Sequence, residues 1–146
     1  MDLLKAMQIS GSSLHTQRTV MNIISTNVAN AQTTRTEEGG PYRRRIPVLS
    51  ATTVPPTEFS RVLSNRLDKE LAGVEVKEVQ LDMSDLATRH DPNHPDADEL
   101  GYVTLPNVNI LEEMVHLMSA ARNYEASVTA FNAAKSMILK ALEIGR

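Results

Sequence analysis

Apolar residues recur at helical spacing at both ends of this chain, and the spacing is lost between them. Near the N-terminus Met7, Leu14, Met21 and Val28 fall seven apart, Ile24 lies three positions after Met21, and Leu3, Leu4, Val20 and Ile23 widen the stripe. Ser10 and Gln17 share the row of Ile24, so the pattern predicts an amphipathic helix with a half-polar seam. The C-terminal run is more regular. Ile110, Leu117, Tyr124, Phe131 and Ile138 recur at every seventh position, and Met114, Ala121, Val128, Lys135 and Leu142 stand four residues after each. A sustained seven-residue apolar period favours a left-handed supercoil with a partner helix.

The ends of these helices are also written locally. Asn109 with Glu112 three residues on has capping-box spacing, and Gly145 stands where a helix stop belongs. Helices over 3–31 and 109–144 would measure roughly 43 and roughly 54 Å at 1.5 Å per residue. Between them Glu38-Gly39-Gly40-Pro41 predicts a turn, 42–49 and 73–81 read as strands, and the two prolines of 91–96 force a loop. The expected fold is mainly α, with long N- and C-terminal helices forming a bundle or coiled-coil-like unit around a small β or extended insert. Its parts are an N-terminal helical segment 1–32, a middle segment 33–106 and a C-terminal helical segment 107–146.

Composition narrows what such a chain can do. Aromatic residues make up 3% of the 146 positions and tryptophan is absent, so the apolar material is Leu, Ile, Val, Met and Ala, suited to helices packing along their lengths. A net charge of −3, with one short basic run at Arg43-Arg44-Arg45, gives no footprint for nucleic acid. With no cysteine, disulfides, thiolate nucleophiles and cysteine metal sites are excluded. No apolar run reaches the roughly 18 residues of a membrane span, and the first residues lack the order of a cleaved signal peptide.

Candidate chemistry reduces to one cluster, His90, Asp91, His94, Asp96 and Asp98. Its prolines deny the two histidines a shared helical face and no calcium-loop spacing is present, so it reads as a polar turn and no metal is expected. Nucleophile elbows and phosphate-cradling glycine loops are absent too. No catalytic residue, cofactor or small-molecule substrate is expected. The helical stripes carry the functional expectation instead. Small residues at Ala120, Ala121, Ala126, Ala130, Ala133 and Ala134 lie on more than one face of the C-terminal helix and let several neighbours approach closely.

One stretch does not fit a plain amphipathic helix. Asn27 and Asn30, within STNVANAQTTRT (25–36), are poor late-helix residues and need a reward. The run from Ile9 through this segment strongly resembles the N-terminal signature of flagellar axial proteins, the rod and hook family, and 39–45, 91–114 and 132–146 resemble a proximal-rod member. The resemblance implies a non-enzymatic tube subunit that packs its terminal helices against other rod proteins and copies of itself. It further implies a place in the periplasm-spanning rod, contact with the membrane-embedded basal-body ring and the export apparatus, and export by the flagellar type III route without a cleaved signal. On this reading subunit packing falls to Met7, Leu14, Met21, Ile24, Asn27, Val28 and Asn30. On the C-terminal helix it falls to Ile110, Met114, Leu117, Ala121, Tyr124, Val128, Phe131, Ile138 and Leu142. The asparagine amides would bond across subunit boundaries; the alternative is that they cap a helix end. Competing readings are a paralogous proximal-rod protein and a soluble coiled-coil tether.

Overall fold

In the computed structural model, which describes residues 3–53 and 72–144, the chain runs α1 (Leu3–Ala29), β1 (Arg45–Thr53), β2 (Ala72–Leu81), β3 (Ala87–His90), β4 (Tyr102–Leu105) and α2 (Ile110–Ile144). The mainly α expectation, two long terminal helices with a small β insert, is met in these terms. Both helices begin and end within about two residues of where periodicity placed them. The Asn109 side chain caps α2, its Oδ1 accepting the Leu111 N–H at 3.1 Å. Gly145 and residues 54–71 lie outside the described residues.

The strands depart further from expectation. β1 starts three residues later than the pattern suggested, because Tyr42, Arg43 and Arg44 precede the ladder. β1 pairs with β2, while β3 and β4 form a separate antiparallel hairpin in the register Ala87 to Leu105 through His90 to Tyr102. That hairpin was not expected from the sequence. Its connecting loop is the polar turn the prolines predicted: the Asp98 carboxylate accepts the N–H groups of Leu100 and Tyr102, at 3.0 and 2.8 Å. The earlier turn, at Gly39 and Gly40, uses φ values of 88° and 76° that glycine adopts without a Cβ clash.

The chain divides into two compact units. The first comprises residues up to Thr19, Leu49–Lys77 and the chain from Ala120. Within it Ser12 and Thr16, one helical turn apart, take both backbone groups of Val74. Ser12 Oγ accepts the Val74 N–H at 3.2 Å, and Thr16 donates to the Val74 carbonyl at 2.8 Å. Helix and strand approach closely because Gly73 lacks a side chain; a Cβ there would sit 2.7 Å from Ser12 Oγ. On the other side of α1 the hydroxyls of Ser13 and Ser127 lie 2.8 Å apart.

The second unit comprises Val20–Val48 and Glu78–Ser119. Ile24, Tyr42 and Val103 are buried in it, yet its two largest fully buried side chains are Glu113 and Asn27. Buried polar groups of that size are stable only when fully hydrogen-bonded.

Along α2 the residues turned inward are Glu113, Leu117, Ala120, Tyr124, Ser127, Phe131, Ala134 and Ile138, with Glu113, Ala120 and Ala134 buried and the others half-buried. The seven-residue row 117, 124, 131, 138 is therefore paired with a row three positions on, made of small residues.

Candidate functional site

The buried network of the second unit is built around Asn27, 1% exposed. Its Oδ1 accepts the Tyr42 hydroxyl at 2.8 Å and the Arg45 N–H at 3.0 Å. Its Nδ2 donates to the Arg45 carbonyl and to Glu113 Oε2, each at 2.9 Å. Two donors and two acceptors exhaust an amide. Glu113 Oε1 in turn accepts Nε and an Nη of Arg44, each at 2.8 Å. Arg44 also lies 3.5 Å from Asp82, and its backbone N–H donates to Asn107 Oδ1. Asn107 closes the ring by donating to the Asp82 carbonyl at 3.0 Å and the Ser84 hydroxyl at 2.9 Å.

Electrostatics follow from this packing. Burial works against the charge of Arg44, but the hydrogen bonds and charges of Glu113 and Asp82 outweigh it and raise its pKa. Burial raises the pKa of the Tyr42 phenol; Arg45, stacked 5.8 Å from the ring centroid, pulls it back, and Glu113 pushes it up. Asp82 is held below the ordinary carboxylate range by bonds from Ser84, with Arg44 adding to them. No buried side-chain polar atom among the described residues lacks a partner. The network is a lock that fixes the end of α1, the start of β1 and the start of α2 in one geometry.

The expectation that Asn27 bonds across a subunit boundary is therefore corrected: its amide is consumed inside the chain, and no group remains for a neighbour. Asn30 serves the helix end. Its Nδ2 donates to the Thr26 carbonyl at 2.8 Å and its Oδ1 accepts the Thr33 hydroxyl at 3.2 Å. Asp91, His94, Asp96 and Asp98 of the polar cluster at 90–98 are likewise bonded within the chain. His94 Nδ1 accepts the Asp96 N–H, and Asp96 accepts the Thr34 hydroxyl at 2.7 Å.

Residues 99–144, from the end of that loop through α2, match the family described as Flagellar basal body rod FlgEFG protein C-terminal. Over nearly its whole length the chain is 40% identical to the flagellar basal-body rod protein FlgC of Borreliella burgdorferi, covering 99% of this chain and 98% of that one. It is 42% identical to FlgC of Bacillus subtilis, covering 97% of each, and 35% identical to FlgC of Escherichia coli over the full length of both. The chain belongs to the FlgC family of flagellar basal-body rod proteins. FlgC membership favours this reading over the paralogous FlgB and over a free-standing tether.

The packing residues expected from the sequence take varied positions in this FlgC-family fold. On α1, Met7, Leu14, Met21 and Val28 are half-buried and Ile24 is buried. On α2, Leu117, Ala121, Tyr124, Val128, Phe131 and Ile138 are half-buried, while Ile110, Met114 and Leu142 are exposed. Sequence reasoning missed Glu113, Arg44 and Tyr42 as a network. One signal was available: Glu113 stands seven residues before Ala120, on the small-residue row that faces inward.

Proposed function

We propose that this chain is a structural subunit of the flagellar proximal rod, assembling with other rod proteins and with copies of itself through the outer surface of its helices. It does no chemistry. The observation that carries the reading is full-length similarity to FlgC proteins together with an apolar outer surface on α2. Met114, Val115 and Met118 are 51–65% exposed near its start, and Leu139 and Leu142 are 52% and 66% exposed near its end. Exposed apolar side chains grouped at helical spacing in this way favour an interaction site. Residues 110, 114 and 142 of the expected packing set lie on it, and the half-buried remainder hold α2 against its own chain.

The rod subunit would sit in the periplasm-spanning part of the basal body, near the membrane-embedded ring, having left the cytoplasm by the flagellar type III route. Electron cryo-microscopy of basal bodies isolated from cells producing a tagged chain tests the proposal. Density for the tag is expected at the proximal rod, and its absence from purified basal bodies would overturn the reading. Met114→Glu should abolish incorporation while leaving helicity by circular dichroism unchanged.

A further inference from the structure

Beside the β3–β4 hairpin lies a cavity of about 310 Å³ whose floor is Val103, Leu105, Ile110 and Ala31. Arg89 and His94 stand at its edge, and no acidic side chain lines it among the described residues. Both edge groups are donors. Arg89 gives one Nη to Asp91 Oδ2 at 2.9 Å, which leaves the rest of its guanidinium N–H groups without a described bond. His94 Nδ1 accepts the Asp96 N–H, so in the neutral ring Nε2 carries the proton and remains a donor. An apolar floor beneath the Arg89 guanidinium and the His94 N–H fits a carboxylate carried next to an aliphatic side chain.

The chain itself presents such a group. Leu139, Leu142 and Glu143 are all exposed, and their spacing of three and four places them on one side of the last turns of α2. The other exposed acidic and aliphatic set on α2, Glu112 with Leu111 and Val115, adjoins the cavity's own Ile110 and is flanked by chain on both sides. We infer that the cavity is a socket for the Leu139–Leu142–Glu143 face of a second copy of this chain. The leucines would cover the floor and the Glu143 carboxylate would meet Arg89 and His94. This inference rests on the assembling-subunit reading and adds to it the chemistry of one contact. Plug and socket are different surfaces, so the contact pairs unlike patches of two copies.

The absence of cysteine makes a direct test available. Full-length Gln32→Cys, at the cavity's edge, and Leu142→Cys chains are mixed at their highest soluble concentration and oxidised with diamide. A mixed disulfide dimer is expected in clear excess over the like pairs. Glu143→Arg in the Leu142→Cys chain should lower its yield several-fold, and Arg89→Glu in the Gln32→Cys chain should restore it. Circular dichroism checks each fold, with Glu143→Gln as the milder second variant, which should also lower the yield. The inference is overturned by no excess of the mixed dimer, by equal yield when Leu111→Cys replaces Leu142→Cys, or by charge swaps without effect. If the tagged chain still enters basal bodies in that event, the socket fails and the rod assignment stands; if it does not enter them, the rod assignment fails with it.

Discussion

Replacing Asn27 by Ala should be among the most damaging single changes to this monomer. Four hydrogen bonds vanish, and the Tyr42 hydroxyl, both backbone groups of Arg45 and one oxygen of Glu113 lose their partner. Each buried group so stranded costs about 1–3 kcal/mol. Water entering the vacated space recovers part of this, and the better helix propensity of Ala returns a few tenths of a kcal/mol. The net loss should be about 3–5 kcal/mol, a large share of the roughly 5–15 kcal/mol that holds a domain together. Urea unfolding followed by circular dichroism would measure it. The isosteric Asn27→Asp separates this account from simple loss of volume. It keeps both acceptor bonds at Oδ1 but sets a second carboxylate against Glu113 Oε2, 2.9 Å away where the donor had been. In the folded state one of the two carboxyls would then be held above its unfolded pKa. The folded chain would bind more protons, so the stability deficit should shrink as pH falls from about 7 towards about 5. Asn30→Ala, which loses only local helix-end bonds, should stay within about 0.5 kcal/mol of the parent. An Asn27→Ala chain within about 1 kcal/mol of the parent, or an Asn27→Asp deficit that does not respond to acid, would refute the reasoning.

Three further outcomes follow from other contacts. Gly73→Ala should cost about 1–3 kcal/mol through the 2.7 Å approach to Ser12 Oγ, and adding Ser12→Ala should cost less than the separate effects summed, measured as a double-mutant cycle in thermal unfolding. Arg44→Ala should destabilise by about 3–5 kcal/mol because it leaves the Glu113 charge buried, whereas Arg44→Met with Glu113→Leu should recover much of that loss in the same denaturant assay. The lowered pKa values of Asp82 and Asp91 mean stability is present above the usual carboxylate range and lost as pH falls through it; the raised pKa of Tyr42 adds a loss at alkaline pH, above the ordinary phenol value. Melting temperature against pH should show both flanks, with Asp82→Asn flattening the acid one.

Periodicity, capping and turn chemistry act between near neighbours in the chain, and everything built from them was legible beforehand. The seven-residue row from Leu117 to Ile138 marked the long C-terminal helix, Asn109 marked its start, and the prolines of 91–96 marked a loop. The β3–β4 hairpin was not legible, because ATRH and YVTL are four-residue strands with no apolar alternation in the first; each is a strand only by virtue of the other. The asparagine question was posed by sequence and answered only by tertiary structure. A late-helix Asn announces an unmet polar group, but its partners lie 15, 18 and 86 residues away, at Tyr42, Arg45 and Glu113. Long-range partners leave no local period, so packing alone decided that Asn27 turns into its own chain. It likewise selected Glu113 over Glu112, since a one-residue difference in helical phase is about 100° and separates a buried ion pair from a solvated carboxylate.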